Sequence, residues 1–112
     1  MNPDGPYRLR ALWRDDPTAA PMTIDLQISG SRISACYDLF GAFDLDGDVP
    51  RPFILRRDGL IAFGGADACV WRTDLRDAEI AVGCCFSIHF NDRDHGVYRI
   101  VKLARPGSKE TR

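Results

Sequence analysis

Apolar and polar residues alternate along most of this chain with a period of two, the mark of half-buried β-strands rather than helices. From Tyr7 to Trp13, the residues Tyr7, Leu9, Ala11 and Trp13 share one face, while Arg8, Arg10 and Arg14 take the other. Asp15 to Pro21 is too polar and too broken by proline for a helix and reads as a loop. Met22 to Ser29 alternates again, with Ile24, Leu26 and Ile28 on the apolar side. Gly30-Ser31 is a two-residue hairpin signal. It leads into a third strand with Ile33, Ala35 and Tyr37 inward and Arg32, Ser34 and Cys36 outward. Leu39 to Leu45 is a fourth strand, interrupted by Gly41.

The second half repeats the theme. Asp46-Gly47-Asp48 is a turn, followed by Pro50 and Pro52; Phe53 to Arg57 and Leu60 to Phe63 are strands joined at the hairpin dipeptide Asp58-Gly59. Gly64-Gly65 leads, with a short helical turn open over Gly65 to Ala68, to a strand through Cys69, Val70, Trp71 and Thr73. Asp74 to Asp77 turns the chain. The longest alternation is Ile80, Val82, Cys84, Phe86, Ile88 and Phe90. Asn91 to Gly96 is the last turn, Val97 to Leu103 the last strand, and the chain from about Arg105 reads as a flexible tail.

Eight or nine short strands with turn signals every ~8–12 residues indicate a barrel or a sandwich. Hairpin-like links make consecutive strands neighbours, and closure removes exposed edges. The expected fold is therefore all-β, an antiparallel up-and-down β-barrel of about eight strands, with a β-sandwich as the alternative. The 112 residues make one domain, 1–112. Ile24, Leu26, Ile28, Ile80, Val82, Phe86 and Ile88 are the expected core. Terminal strands this strongly patterned should pair with each other antiparallel, placing Trp13 near Arg99. Arg99 then either stacks on the indole, or lies in solvent if Tyr98 and Ile100 take the inward phase.

Composition sharpens this picture by exclusion. The net charge of −1 comes from interleaved acidic and basic residues, with no basic stripe for nucleic acid. The first residues lack a basic and an apolar signal region, and no apolar run approaches the ~20 residues of a membrane helix. The expectation is a cytoplasmic protein with no nucleic-acid or membrane partner; a homodimer stays open. Its four cysteines, Cys36, Cys69, Cys84 and Cys85, should then be reduced and serve as small buried hydrophobes. Vicinal Cys84 and Cys85 point to opposite faces of a strand and are poorly placed to pair with each other.

No cluster of residues meets the demands of a specific chemistry. Asp44-Leu45-Asp46-Gly47-Asp48 offers carboxylates, but its glycine is fourth and Leu55 stands where an EF-hand needs glutamate, so no calcium is expected. Cys85 and His89 lie roughly 13 Å apart along a strand, too far to share one zinc ion. Ser87 and His89 are two apart on an outer face, and Asp94-His95 is ordinary turn chemistry. No nucleophile elbow, phosphate loop or dinucleotide fingerprint occurs. Catalytic residues, cofactors and metals are accordingly none.

A Trp on the first strand and an Arg on the last resemble the signature of calycins, the lipocalin-like barrels, with Ala11 standing where the Gly-x-Trp form has glycine. Asp4-Gly5-Pro6-Tyr7, the Gly30-Ser31-Arg32-Ile33 hairpin and Gly41-Ala42-Phe43 before Asp46-Gly47-Asp48 are similar to the lipocalin-like negative regulators of type III secretion. Ser34-Ala35-Cys36 replaces that family's Gly-Gly-Asp segment. The resemblance implies a barrel that binds. The expected function is a non-enzymatic binding module, holding a small apolar ligand in the barrel mouth or a regulatory protein partner on its surface, with Trp13, Tyr37 and Arg99 as ligand-binding candidates. The alternative is a small cofactor-free isomerase or hydrolase acting inside the barrel through Tyr37, Tyr98 and Arg99. A structural or assembly role would need an apolar outer patch, to which Leu12, Ile54 and Ile61 could contribute.

Overall fold

The computed structural model describes residues 3–34, 36–44, 50–63, 70–91 and 93–105. Among the described residues nine strands form, in chain order β1 Gly5–Trp13, β2 Met22–Ser29, β3 Arg32–Ile33, β4 Leu39–Asp44, β5 Pro50–Leu55, β6 Leu60–Phe63, β7 Val70–Thr73, β8 Cys85–His89 and β9 His95–Ala104. Every pairing is antiparallel. Eight strands close a ring in the order β1-β2-β4-β5-β6-β7-β8-β9, and β9 returns to β1. The ring is an up-and-down barrel. The ninth strand, β3, is a spur paired to the end of β2 through Ile28–Ile33 and Ser29–Arg32.

Local chemistry explains the main joints. Gly30 and Ser31 both hold positive φ, 62° and 68°, as the tight hairpin turn between twisted strands requires. The Asp4 carboxylate ties that turn to the start of β1, accepting from the Gly30 N–H at 3.1 Å. The β5–β6 link is one residue longer than the Asp58-Gly59 dipeptide suggests. Gly59 takes φ 88° and its N–H donates to the Arg56 carbonyl at 3.0 Å, the three-residue loop that ends in a left-handed residue. Gly41 lets β4 approach β2 closely, where a side chain would meet the Thr23 carbonyl.

The inward rows pack a continuous apolar core. Ile24, Leu26, Ile28, Ile80, Phe86 and Ile88 are buried, as the alternation indicates. Val82 is not: it is 61% exposed. The long alternation from Ile80 to Phe90 is a strand only over Cys85–His89. Before it the chain turns at Ala81–Cys84, where the Cys84 N–H returns to the Ala81 carbonyl at 3.0 Å. Ile80 is buried by capping the barrel end instead, its N–H donating to the Ser31 carbonyl at 2.7 Å.

That end is shut by a 3-10 turn, Leu75–Asp77, with Leu75 buried beneath it. Arg76 fastens the lid. Its guanidinium donates to the backbone carbonyls of Arg56 at 2.9 Å, Tyr37 at 2.8 Å and Leu55 at 3.1 Å, so one side chain joins three segments. Buried Thr73 sets the lid's angle: its hydroxyl donates to the Ser87 carbonyl at 2.7 Å and accepts the Leu75 N–H at 3.2 Å.

Other expectations need correction. The third strand is cut to two residues, and Tyr37 leaves the inward row to stand 55% exposed in the link to β4. Cys36 and Cys85 are exposed rather than buried, and Cys84 is half-buried; these three thiols are free. Arg105, at the expected start of the tail, lays its guanidinium 5.0 Å from the centre of the Tyr7 ring. Ala35, the turn at Asp46-Gly47-Asp48 with its carboxylates, the Gly64-Gly65 link, the turn over Gly65 to Ala68, Cys69 and the tail from Pro106 lie outside the described residues.

Candidate functional site

Aromatic rings pack against one another in the barrel interior. Phe43 packs on Phe53 at 4.8 Å between ring centres, on Trp71 at 5.4 Å, and on Phe63 and Tyr98 at 6.1 Å. Trp71 carries the stack on to Phe63 at 4.9 Å and Phe90 at 4.7 Å. Phe86 stacks on Tyr98 at 5.9 Å. Such tilted and edge-on pairs occupy the space that a ligand-holding barrel leaves open.

The three sequence-derived candidates do not converge. β1 and β9 do pair antiparallel, but a bulge at Val101, across from Arg10 and Ala11, sets Leu12 opposite Arg99 and Trp13 opposite Tyr98. β9 takes the phase with Tyr98 and Ile100 buried and Arg99 in solvent. Trp13 turns inward, its indole Nε1 next to Gly96 and without a hydrogen-bond partner. Trp13 and Arg99 are therefore neighbours in register on opposite faces, and no cation–π stack forms between them. Tyr37 sits at the far end of the barrel from Trp13, because β4 begins where β1 begins.

An interior reaction would rest on Tyr37, Tyr98 and Arg99, and only Tyr98 faces inward. Its hydroxyl is engaged, donating to the Ala20 carbonyl at 3.0 Å. Burial pushes the Tyr98 phenol up to about 12, so it stays a protonated hydrogen-bond donor. His89, considered beside Ser87, stacks on His95 across the hairpin instead.

The outer wall offers more. Phe40, Ile54 and Ala62 are cross-strand partners in one line over β4, β5 and β6. Phe40 is 64% exposed and Ile54 36%. With Gly41, Pro52, Phe53 and Phe63 they line an apolar groove of about 500 Å³. Arg51 also lines it; opposite Phe43 in register, it shares the face of Phe53 and lays its guanidinium 4.9 Å from the centre of the buried Phe63 ring. Phe40 borders the Arg8–Asp25 ion pair, 2.7 Å between Nε and Oδ1. The Arg8 pKa is raised by that hydrogen bond and charge; the pair is exposed, so it orients the rim more than it stabilises the fold.

Comparison with family models, curated proteins and solved structures finds no match to this chain.

Of the outer-patch residues expected from the sequence, Ile54 belongs to the groove, Ile61 is fully buried, and Leu12 lies on the opposite wall, over β1 and β9. Phe40 escaped notice because β4 is apolar in both phases: Leu39 and Phe43 on one side, Phe40 and Ala42 on the other. Only the register to Ile54 shows that Phe40 is part of a row. Among the described residues no group of three or more His, Cys, Asp or Glu side chains is placed to hold a metal.

Proposed function

We propose that this chain is a non-enzymatic binding module that engages a protein partner through the outer wall of its barrel, at the groove centred on Phe40 and Ile54. The observation that carries this reading is the exposure of Phe40, a large aromatic in an apolar row across three strands. Aromatic side chains are enriched at the centres of protein interfaces and supply much of their energy. A contiguous apolar groove rimmed by charge is the surface form such sites take. The aromatic packing of the interior favours the wall over the mouth as the place of recognition. The resemblance to lipocalin-like regulators, whose partners are proteins, supports the same choice. The closed ring matters too: all eight of its strands are paired on both sides, so recognition falls to side chains rather than to strand addition.

The test is site-specific photocrosslinking in the native host. A benzophenone side chain replaces Phe40 or Ile54, and, for comparison, Val82, which is exposed at the shut end. A discrete heterologous adduct is expected from positions 40 and 54 and not from 82. Introducing Ile54→Asp alongside the position-40 probe should abolish it. No adduct from either groove position, or an adduct of twice the chain's mass, would overturn the reading; the second result assigns the groove to self-association.

A further inference from the structure

The β8–β9 hairpin brings together two histidines that are separated in sequence. His89 and His95 are direct cross-strand partners. The adjacent Phe90 N–H donates to the Asp94 carbonyl at 2.9 Å. Antiparallel pairs alternate, so His89–His95 is the closer, non-hydrogen-bonded kind, in which side chains approach most. Both imidazoles are exposed on the outer face, with 5.3 Å between ring centres and 26° between planes. The turn beyond them is held firmly. Asn91 Oδ1 accepts the N–H groups of Arg93 at 2.8 Å and Asp94 at 2.9 Å, and its amide donates to the Asp94 carboxylate at 3.0 Å. The register of the pair is thus fixed before any ligand arrives.

We propose that His89 and His95 form a two-imidazole chelate for a divalent transition-metal ion, its remaining coordination positions filled by water. A metal held at ~2.0–2.1 Å by one nitrogen of each ring sets the ring centres roughly 5 Å apart, the spacing already present. Rotation of the two rings about their side-chain bonds brings one nitrogen of each to a common point, and exposure leaves room for the water ligands. Imidazole donors suit copper, nickel and zinc, with copper bound most tightly. The surrounding charges make the site modest in strength. Arg72, exposed and the cross-strand neighbour of His89 on β7, opposes a cation. The Asp94 carboxylate beside His95 attracts one but is engaged with Asn91.

Nickel chloride alone is the probe, because nickel(II) is not reduced by the free thiols. Titration calorimetry of the full chain at neutral pH should give one saturable site. His89→Ala and His95→Ala should each weaken it by at least roughly tenfold, the scale lost when even an indirect partner of a metal is removed. Arg72→Gln should tighten it. Independently of any variant, paramagnetic broadening in wild type should strike the ring resonances of both histidines together at substoichiometric nickel. Binding that persists unchanged in either histidine variant, or broadening confined to one ring or to cysteine neighbours, would overturn the proposal.

Discussion

Replacing Gly41 by alanine puts a methyl group where the β2–β4 seam has no space. A Cβ at this position would lie 2.5 Å from the Thr23 carbonyl oxygen, 2.6 Å from Phe53 Cζ and 3.0 Å from Ile24 Cβ. None of the three can step aside cheaply. The oxygen is main chain, Ile24 is fully buried, and the Phe53 ring is held 4.8 Å from Phe43 in the aromatic core. The strand must therefore back away from β2 along a seam of three residue pairs, Met22–Phe43, Thr23–Ala42 and Ile24–Gly41. Overpacking of this kind costs ~1–3 kcal/mol and occasionally more. Intrinsic preference acts the other way, since alanine in place of a strand glycine gains roughly 0.5–1 kcal/mol through the unfolded chain. With two of the contacts well inside van der Waals distance, the net expected loss is about 2 kcal/mol. In urea, with a slope of ~1–3 kcal/mol per molar, the midpoint should fall by roughly 0.7–2 M at unchanged slope. A midpoint that stays put or rises would show propensity acting without the clash, and would refute the close β2–β4 approach.

Phe86→Ala should cost ~3–5 kcal/mol in the same assay, since Phe86 is buried against Tyr98; Val82→Ala should change stability by less than about 0.5 kcal/mol, and equal losses would contradict the observed start of β8. Arg76→Lys keeps the charge but loses the planar fork that reaches three carbonyls, and a loss of about 1–2 kcal/mol is expected; hydrogen exchange should accelerate first at the Leu75–Asp77 lid, and unchanged protection there would count against the latch. The Tyr98 phenol has a folded pKa of about 12 against an ordinary value of 10.0, so folding favours its neutral form. Its contribution is fully present below pH 10 and is lost as pH rises from there towards 12. Tyr98→Phe should flatten the fall of the urea midpoint over that window, and an identical slope in the variant would refute the buried phenol.

Much of the ring was legible because burial writes directly onto alternation. Met22 to Ser29 follows the pattern along its whole length, and β1 follows it from Tyr7 to Ala11 before Leu12 and Trp13 both become half-buried. Reading failed where an apolar residue is buried by something other than a strand. Ile80 caps the barrel end, and its spacing to Phe86 extended the apparent alternation through Val82, which faces water. It failed again where both phases of a strand are apolar: β4 gave no reason to single out Phe40, and the groove exists only through its register to Ile54 and Ala62. Trp13 and Arg99 were rightly placed on adjoining strands. The bulge at Val101 of β9, opposite Arg10 and Ala11, changes which residues face each other, and a one-residue bulge leaves no trace in local composition. Arg76 was invisible for a related reason, since its partners are backbone carbonyls that any sequence possesses.

Recognition by the outer wall rests on a ring whose eight strands each pair with two neighbours, and the seam between the first and last strands decides whether the ring is closed. Nuclear Overhauser spectroscopy reads that seam directly. The Arg14 N–H donates to the Val97 carbonyl at 2.8 Å, so Trp13–Tyr98 and Ala11–Ile100 are the close, non-hydrogen-bonded pairs of β1 and β9. Strong Hα–Hα cross-peaks are expected for both pairs, with slow exchange of the Arg14 amide. Their absence, with β1 showing cross-peaks to β2 alone and the Arg14 amide exchanging at the rate of a free edge, would contradict the closed barrel and with it the case for binding by the wall.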